Sequence, residues 1–262
     1  MAGVAMPDGR KAVLKVSIPT GAANAGELDA LLAGHGRAYA EVYAYDGARE
    51  AILLQRLGRQ LHELGWSVDA QIAAICATLR AAWMPLPQDA GFMTGAEKAK
   101  NLSAFIEAAW RELGRPCAER TIETALDYAE IRRRGFDPTL AVLAHGDAHA
   151  WNTLLVPGDG PARFKFVDPD GLFIERAYDL GIAMREWTSQ LLAGDPLALG
   201  RKRCLLLAEL AGVDPEPIWQ WGFLERVSTG LLCMKVGLEG GRDMLAVADA
   251  WAAPSGHARP WR

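Results

Sequence analysis

The fold is decided by residues 142–187, which begin V-L-A-H-G-D-A-H-A-W-N-T-L-L-V and continue, after P-G-D-G-P, as A-R-F-K-F-V-D-P-D-G-L-F-I-E-R-A-Y-D-L-G-I-A-M-R-E-W. Residues 153–156 and 163–167 are short β-prone runs, and the cluster between them supplies turn residues. If the two runs pair antiparallel, Asn152 and Asp168 meet at the open end of a hairpin. The sequence therefore predicts a hairpin that brings an amide oxygen and a carboxylate together, as a metal ion requires.

The residues just before the hairpin have the spacing of a catalytic loop for phosphoryl transfer. Asp147 and Asn152 form the pattern D-x-x-x-x-N, which kinases use to hold a base and a metal ligand on one turn. Phosphoryl transfer needs Mg²⁺ to offset the charge of the phosphate oxygens and a carboxylate to accept or orient the hydroxyl proton. We therefore expect Asp147 to be the base and Asn152 and Asp168 to be the Mg²⁺ ligands.

This loop is part of a longer pattern, H-G-D-A-H-A-W-N at residues 145–152, followed by V-D-P-D-G-L at 167–172, Glu175, and Y-D-L at 178–180. The pattern resembles the aminoglycoside phosphotransferase family, and within it the streptomycin 6-kinase and hydroxyurea kinase branch. The resemblance implies a protein-kinase-like, bilobal α+β fold with a small, shortened αβ N-lobe and a mainly helical C-lobe. It also implies an ATP- and Mg²⁺-dependent phosphotransferase with an alcohol group as acceptor.

The same resemblance divides the chain into a nucleotide-binding lobe at residues 1–58 and a helical lobe, with the catalytic loop and acceptor pocket, at residues 59–262. Only 14 residues precede Lys15, so we expect at most one strand before the lysine strand. A kinase-like small lobe would then lack its first strand and its phosphate-covering turn. Gln55 and Leu57 lie where the family's hinge meets the adenine, and we expect them in the cofactor site.

Lys15 occupies the middle of an apolar strand predicted at residues 12–18. The V-L-K pattern resembles the kinase strand whose lysine contacts the ATP phosphates and pairs with a helical glutamate. A helix predicted at residues 24–33 offers Glu27 as that partner. The alternatives are an edge-strand lysine and a solvent-facing acid, and the catalytic loop downstream favours phosphate binding for Lys15.

The catalytic loop and the residues after it also carry supporting and acceptor-binding candidates. By resemblance, His145 and His149 support the loop, and Asp179 braces it through backbone hydrogen bonds. Only about eight residues separate Asp168 from the next predicted helix, which leaves no room for an activation segment and favours a small-molecule substrate. The candidate contacts for a cationic sugar are Asp170, Glu175, Glu186 and Glu225, with Trp151, Trp187 or Trp221 as stacking surfaces.

Composition restricts the partners of the chain. The net charge is −4, with no Lys/Arg-rich block, which argues against nucleic-acid binding. The four cysteines form no C-x-x-C pair, and we find neither a leader pattern nor a membrane span, so we expect a cytoplasmic protein. Residues 132–134 are three arginines at the end of a predicted helix, most simply a solvated C-terminal cap.

Three hypotheses about the function fit this sequence. The favoured one is O-phosphorylation of an aminoglycoside such as streptomycin, which confers antibiotic resistance. Within the same reaction class, the acceptor could be hydroxyurea or an endogenous hydroxyl metabolite. The short N-lobe also motivates a nucleotide-deficient pseudokinase that binds its ligand without chemistry. The sequence leaves the oligomeric state open.

Overall fold

The computed structural model describes residues 1–16, 25–87 and 90–252 and divides the chain into two compact units. Unit 1 consists of Met1–Phe92 and Leu143–Leu172, and unit 2 consists of Met93–Val142 and Phe173–Arg262. The predicted hairpin and catalytic loop therefore belong to the same unit as the predicted lysine strand.

Unit 1 contains a four-stranded antiparallel sheet. Its strands are β1 (Ala2–Ala5), β2 (Lys11–Val16), β3 (Val42–Asp46) and β4 (Ala51–Gln55), and they lie in the order β1-β2-β4-β3. The strand predicted at residues 12–18 is confirmed as far as Val16, and residues 17–18 lie outside the described residues. Asp46 begins the turn between β3 and β4, where its carboxylate accepts two backbone hydrogen bonds. The central position of β2 gives Lys15 a fixed place beside β4.

Helix α1 (Ala25–Gly34) passes close to the backbone that follows Asp168. An ideal Cβ on Gly26 would lie 2.4 Å from the carbonyl oxygen of Asp170, so only glycine permits this approach. The helix was predicted at residues 24–33, and Asn24 lies outside the described residues. This contact holds Glu27, the next residue along α1, near the end of the hairpin.

Helix α2 (Val68–Ala82) follows two short connections in unit 1. The hydroxyl oxygen of Ser67 caps it by accepting a hydrogen bond from the backbone nitrogen of Ala70 at 3.3 Å. Ile72 and Ile75, three positions apart on one face of the helix, are fully buried. The alanine-rich side of α2 faces a pocket that is described below.

Five further strands are short. They are β5 (Met93–Thr94), β6 (Ala141–Ala144), β7 (Thr153–Leu155), β8 (Phe164–Phe166) and β9 (Leu172–Glu175). Strands β7 and β8 form the hairpin of unit 1, and the other three lie where the chain passes between the units. The sequence predicted only a connection where β9 is found.

Unit 2 is mainly helical. Its helices are α3 (Gly95–Glu112), α4 (Glu119–Arg134), α5 (Ala177–Met184), α6 (Thr188–Leu192), α7 (Pro196–Ala211), α8 (Pro215–Lys235) and α9 (Gly241–Trp251). Helices α5 and α8 pack closely and bury Trp219, Trp221 and Phe223 in the core. Across the three described ranges of the chain, no helix combines the length and apolar character needed to cross a membrane.

Candidate active site

The β7–β8 hairpin brings the two predicted metal ligands together. Thr153 lies opposite Phe166 in the ladder, and the backbone nitrogen of Val167 donates to the carbonyl oxygen of Asn152 at 3.0 Å. Asn152 and Asp168 therefore lie on adjacent strand ends, and both line a pocket of about 320 Å³. This is the convergence that the turn cluster and the two β-prone runs predicted.

His145 anchors the catalytic loop to the end of β8. Its Nε2 lies 3.0 Å from the carbonyl oxygen of Val167, and its Nδ1 accepts the backbone N–H of Asp147 at 3.0 Å. Complete burial lowers the pKa of His145 to about 4. The ring is therefore neutral at pH 7, with its proton on Nε2 so that it donates to Val167. Both ends of the ring fix backbone next to a predicted catalytic residue.

The Asp147 carboxylate is held by two side chains of its own loop. Its Oδ2 lies 3.2 Å from His149 Nε2 and 3.2 Å from Asn152 Nδ2, and the Asn152 amide also donates to the Asp147 carbonyl oxygen at 3.1 Å. His149 Nδ1 accepts the backbone N–H of Trp151 at 3.2 Å, so a neutral ring donates through Nε2. These bonds define the direction of the carboxylate.

Lys15 pairs with two acids in unit 1. Its Nζ lies 2.6 Å from Glu27 Oε1 and 2.8 Å from Asp168 Oδ1. Burial disfavours the Lys15 charge, but the hydrogen bonds with Asp168 and Glu27 outweigh it and raise the lysine pKa. Burial raises the pKa of Glu27, and Lys15 partly offsets this effect. Glu27 is thus a partner of Lys15 rather than a solvent-facing acid.

The donor set at the hairpin fits a Mg²⁺ ion. Because the Asn152 amide nitrogen is directed at Asp147, its amide oxygen faces away from Asp147. Asp168 adds a carboxylate in a left-handed backbone conformation (φ 54°), which aspartate tolerates. The described residues contain no cluster of three or more His, Cys, Asp or Glu suited to a metal. Two protein oxygens suffice for Mg²⁺, which keeps waters and binds substrate phosphates.

The 320 Å³ pocket contains the two predicted hinge residues. Gln55 and Leu57 both line it, and apolar walls are added by Val13, Leu54 and Leu154. The Gln55 side chain accepts a hydrogen bond from Lys165 Nζ at 2.8 Å, which engages its oxygen outside the hinge. The lining therefore combines apolar side chains with the polar groups of Gln55, Asn152 and Asp168, a mixture typical of small-molecule sites.

Two acceptor candidates of unit 2 are already paired with cations. Glu175 lies 3.2 Å from Arg132 Nη1 and accepts the Trp221 indole N–H at 2.9 Å. Glu225 is buried, accepts the Tyr178 hydroxyl at 2.5 Å, and lies 3.6 Å from Arg185 Nη1. The two glutamates therefore belong to two groups of paired side chains inside unit 2, Arg132, Glu175 and Trp221 in one and Tyr178, Arg185 and Glu225 in the other.

The expectation of a solvated arginine cap at residues 132–134 is partly wrong. Arg133 and Arg134 do pair with Glu130 on the exposed surface of α4. The Arg132 side chain, in contrast, is only 14% exposed because it turns inward to Glu175. The helix dipole favours cations at this end of α4, but the packing of unit 2 selects which of the three is buried.

The remaining candidates occupy separate settings. Asp170 is an exposed residue of unit 1 beside Gly146, and Asp179 is fully buried in α5. Glu186 and Trp187 follow α5 in unit 2, and Trp187 adopts a left-handed backbone conformation with φ 53°. A tryptophan rarely takes this conformation, so the segment must be held by its surroundings.

The family of the chain follows from its sequence profile. The profile of the aminoglycoside/hydroxyurea antibiotic resistance kinases matches residues 1–237. The chain belongs to this kinase family. The prediction of a small-molecule phosphotransferase that acts on hydroxyl acceptors is thereby confirmed. A comparison with curated proteins gave no match.

Solved structures share the fold of this kinase. Aminoglycoside phosphotransferase APH(3'')-Id from Streptomyces rimosus, in complex with ADP and streptomycin, is 17% identical, with 85% of this chain and 88% of that chain covered and a TM-score of 0.57. Ethanolamine kinase from Plasmodium vivax is 14% identical, with 95% of this chain and 76% of that chain covered and a TM-score of 0.58. Choline kinase LicA from Streptococcus pneumoniae is 16% identical, with 93% of this chain and 84% of that chain covered and a TM-score of 0.58. These likenesses confirm the predicted kinase-like α+β fold class.

Sequence reasoning missed several residues that surround the kinase's pocket. Val13 was detectable, because it lies two positions before Lys15 and therefore on the same face of β2. Leu154 could be found in the same way from the hairpin alternation. The bond between Lys15 and Asp168 had no local signal, since 153 positions separate the two residues.

Proposed function

We propose that this kinase transfers the γ-phosphoryl group of ATP to a hydroxyl of a cationic aminoglycoside, with streptomycin as the favoured acceptor. One observation carries the proposal: the hairpin and β2 gather Lys15, Asp147, Asn152 and Asp168 into one hydrogen-bonded cluster of unit 1. A cluster of this composition provides both a base and phosphate-binding groups. ATP supply in the cytoplasm makes that compartment the expected place of action.

Phosphate binding is assigned to the lysine end of the cluster. Lys15 contacts the ATP phosphates, and Glu27 directs the Lys15 ammonium group. The distance of 2.6 Å between Lys15 Nζ and Glu27 Oε1 supports this role. The Asn152 amide oxygen and the Asp168 carboxylate hold Mg²⁺. When bound, Mg²⁺ offsets the negative charge of the phosphate oxygens. The part of the 320 Å³ pocket that Gln55 and Leu57 line receives the adenine.

Asp147 is assigned to the acceptor hydroxyl. The new bond joins the acceptor oxygen to the γ-phosphorus, the bond from that phosphorus to the bridging oxygen breaks, and ADP leaves. Asp147 accepts the hydroxyl proton. His149 and Asn152 donate to its Oδ2, which supports a fixed carboxylate, while the neutral His145 holds the backbone of the loop.

The acidic candidate contacts favour a cationic acceptor. The Streptomyces rimosus neighbour binds streptomycin, a guanidinium-bearing sugar, which supports the same class here. The candidate contacts are Asp170, Glu175 and Glu186, with Trp187 as a stacking surface. Arg132 already offsets the Glu175 charge, which weakens Glu175 as a contact for a ligand cation.

The test is an acceptor panel with the full chain, ATP and Mg²⁺. ADP release is measured with streptomycin, hydroxyurea and choline, and the product is identified by mass spectrometry. We expect streptomycin to give the largest kcat/KM. If hydroxyurea or choline is phosphorylated instead, the proposed acceptor is wrong, but the proposed phosphoryl transfer to a hydroxyl still holds. Calorimetric titration with Mg-ATP tests the alternative of a nucleotide-deficient pseudokinase. If the chain binds no Mg-ATP, the pseudokinase hypothesis holds and the proposal is overturned.

A further inference from the structure

Unit 1 contains a second and larger pocket that the proposed reaction does not use. Its volume is about 800 Å³, against about 320 Å³ for the pocket at Asn152 and Asp168. It lies between α2, the β7–β8 hairpin and the end of β4. Ligand sites have volumes of roughly 300–1,000 Å³, so the size alone suits a small molecule.

The polar lining of this pocket is strongly cationic. Arg37, Arg163 and Lys165 all line it, and within the described ranges none of the three forms an ion pair with an acid. Burial lowers the pKa of Lys165, the nearby carboxylate of Glu41 opposes that effect, and the charge of Arg163 adds to it. The Lys165 ammonium donates to the neutral amide of Gln55 at 2.8 Å. The pocket thus has an excess of positive charge.

Most of the remaining lining is apolar. Trp66 and Phe164 meet edge to face with ring centroids 5.5 Å apart, and both line the pocket. The floor is the side of α2 that presents five alanines, at positions 70, 73, 74, 77 and 81. Alanine side chains leave room for a planar body to lie against the helix.

We propose that this pocket binds a small organic anion whose acidic group pairs with Lys165, Arg163 and Arg37 and whose flat apolar body lies on α2. Charge complementarity sets the sign of the ligand, because none of the three cations has an acid within ion-pair distance in the described part of the chain and an apolar surface lies beside them. Trp66 and Phe164 set its shape. Among the described residues, Gln55 is the one that lines both pockets, and Asn152 and Asp168 line only the smaller one, so the proposed anion site lies next to the nucleotide pocket and does not include its metal ligands.

The experiment titrates the full chain with naphthalene-2-carboxylate by calorimetry, in the presence of saturating Mg-ATP. Naphthalene-2-methanol, which has the same ring and no charge, is the matched ligand. Lys165→Gln removes a cation, and Ala77→Leu fills the floor at an exposed position of α2. Arg49→Gln is the matched protein control, because it removes one positive charge from an 80% exposed side chain outside the pocket.

We expect the carboxylate to bind one to one, about tenfold more tightly than the alcohol. Lys165→Gln and Ala77→Leu should each weaken the carboxylate by about tenfold or more, and Arg49→Gln should leave its affinity unchanged. Absence of binding at millimolar probe overturns the proposal. Equal affinities for the acid and the alcohol, competition with ATP, or an unaltered affinity in Lys165→Gln do the same.

Discussion

The Lys15 ammonium lies 2.8 Å from the Asp168 carboxylate, and this bond joins the central strand of the sheet to the end of the β7–β8 hairpin. The same ammonium lies 2.6 Å from Glu27. One lysine therefore offsets the charges of two carboxylates. The relationship ties the predicted phosphate-binding group directly to a predicted Mg²⁺ ligand, so that a change in either residue should alter nucleotide binding.

Replacement of Lys15 by methionine should impair both activity and stability. The variant leaves Glu27 and Asp168 side by side without their cation, which we expect to reduce the free energy of unfolding by about 1–3 kcal/mol. Loss of a phosphate contact should lower kcat/KM for ATP by about 10²-fold or more. Steady-state kinetics and urea unfolding measure the two effects. Lys11→Met, on an exposed position of the same strand, is the control, and unchanged kcat/KM in Lys15→Met would exclude a phosphate-binding role.

Asp147→Asn should abolish most of the turnover while the fold is retained. Asparagine has nearly the same shape, and its amide oxygen can still accept from His149 and Asn152. The asparagine amide cannot take up the proton of the substrate hydroxyl, so we expect kcat to fall by about 10²–10⁴-fold with little change in Tm. Asp159→Asn in the exposed hairpin loop should leave kcat unchanged. Near-native turnover in Asp147→Asn would show that another group serves as the base.

Local signals in the sequence determined the helices and the hairpin. Thr94 and Glu97 have the T-x-x-E spacing of a capping box and form one, with the Thr94 backbone nitrogen donating to Glu97 Oε2 at 2.8 Å. The turn residues between β7 and β8 likewise set the antiparallel register. Such features are predictable because each depends on side chains and backbone within a few residues of one another.

Contacts between distant segments could not be predicted from the sequence. Arg132 pairs with Glu175 across 43 positions, and no residue near either one specifies the other. Strand β9 was missed because four residues after a tight turn have no distinctive period. The assignment of Glu175 as a free acceptor contact had the same weakness: the sequence contains the acid but not the arginine that folds onto it.

Stability should fall with acid pH because of His145. Its pKa is about 4 in the folded chain and about 6.5 when exposed, so the unfolded chain binds the proton first. The contribution is fully present above pH 6.5 and is lost as the pH falls towards 4, at up to about 1.4 kcal/mol per pH unit. His145→Gln should be less stable at pH 7 but should show a flatter pH dependence.

Urea unfolding between pH 7 and pH 4.5 measures the His145 effect. His35→Gln is the matched control. Because His35 is exposed in unit 1, its replacement should leave the dependence of the unfolding free energy on pH unaltered. Identical slopes for the native chain and His145→Gln would mean that the acid sensitivity arises from other groups.

Arg226 should position the segment that carries Glu186 and Trp187. Fully buried, it donates to the carbonyl oxygens of Met184 at 2.7 Å and Glu186 at 3.3 Å, and to the Thr188 hydroxyl at 3.0 Å. Burial lowers its pKa to about 9, which leaves it charged at pH 7. These bonds hold the left-handed backbone of Trp187, so the acceptor candidates depend on a residue of α8.

Arg226→Lys keeps the charge but cannot reproduce the forked set of hydrogen bonds. We expect the KM for the acceptor to rise by about fivefold or more, while the KM for ATP changes by less than about twofold. Arg226→Met should lower the free energy of unfolding by about 3 kcal/mol, since buried carbonyl groups lose their donor. Parallel increases in both KM values would assign Arg226 to general stability instead of acceptor positioning.

The contact between α5 and α8 depends on glycine at position 181. An ideal Cβ there would lie 2.8 Å from the backbone nitrogen of Gly222 and 2.7 Å from the Trp221 Cβ, so the helices cannot remain at this distance with a larger residue. Gly181→Ala should therefore destabilise the chain by about 1–3 kcal/mol, despite the better helix propensity of alanine. Gly160→Ala, whose Cβ would meet nothing within 4 Å, should be neutral or slightly stabilising. Urea unfolding compares the two variants, and a Gly181→Ala chain as stable as the native one would show that α5 and α8 can separate without cost.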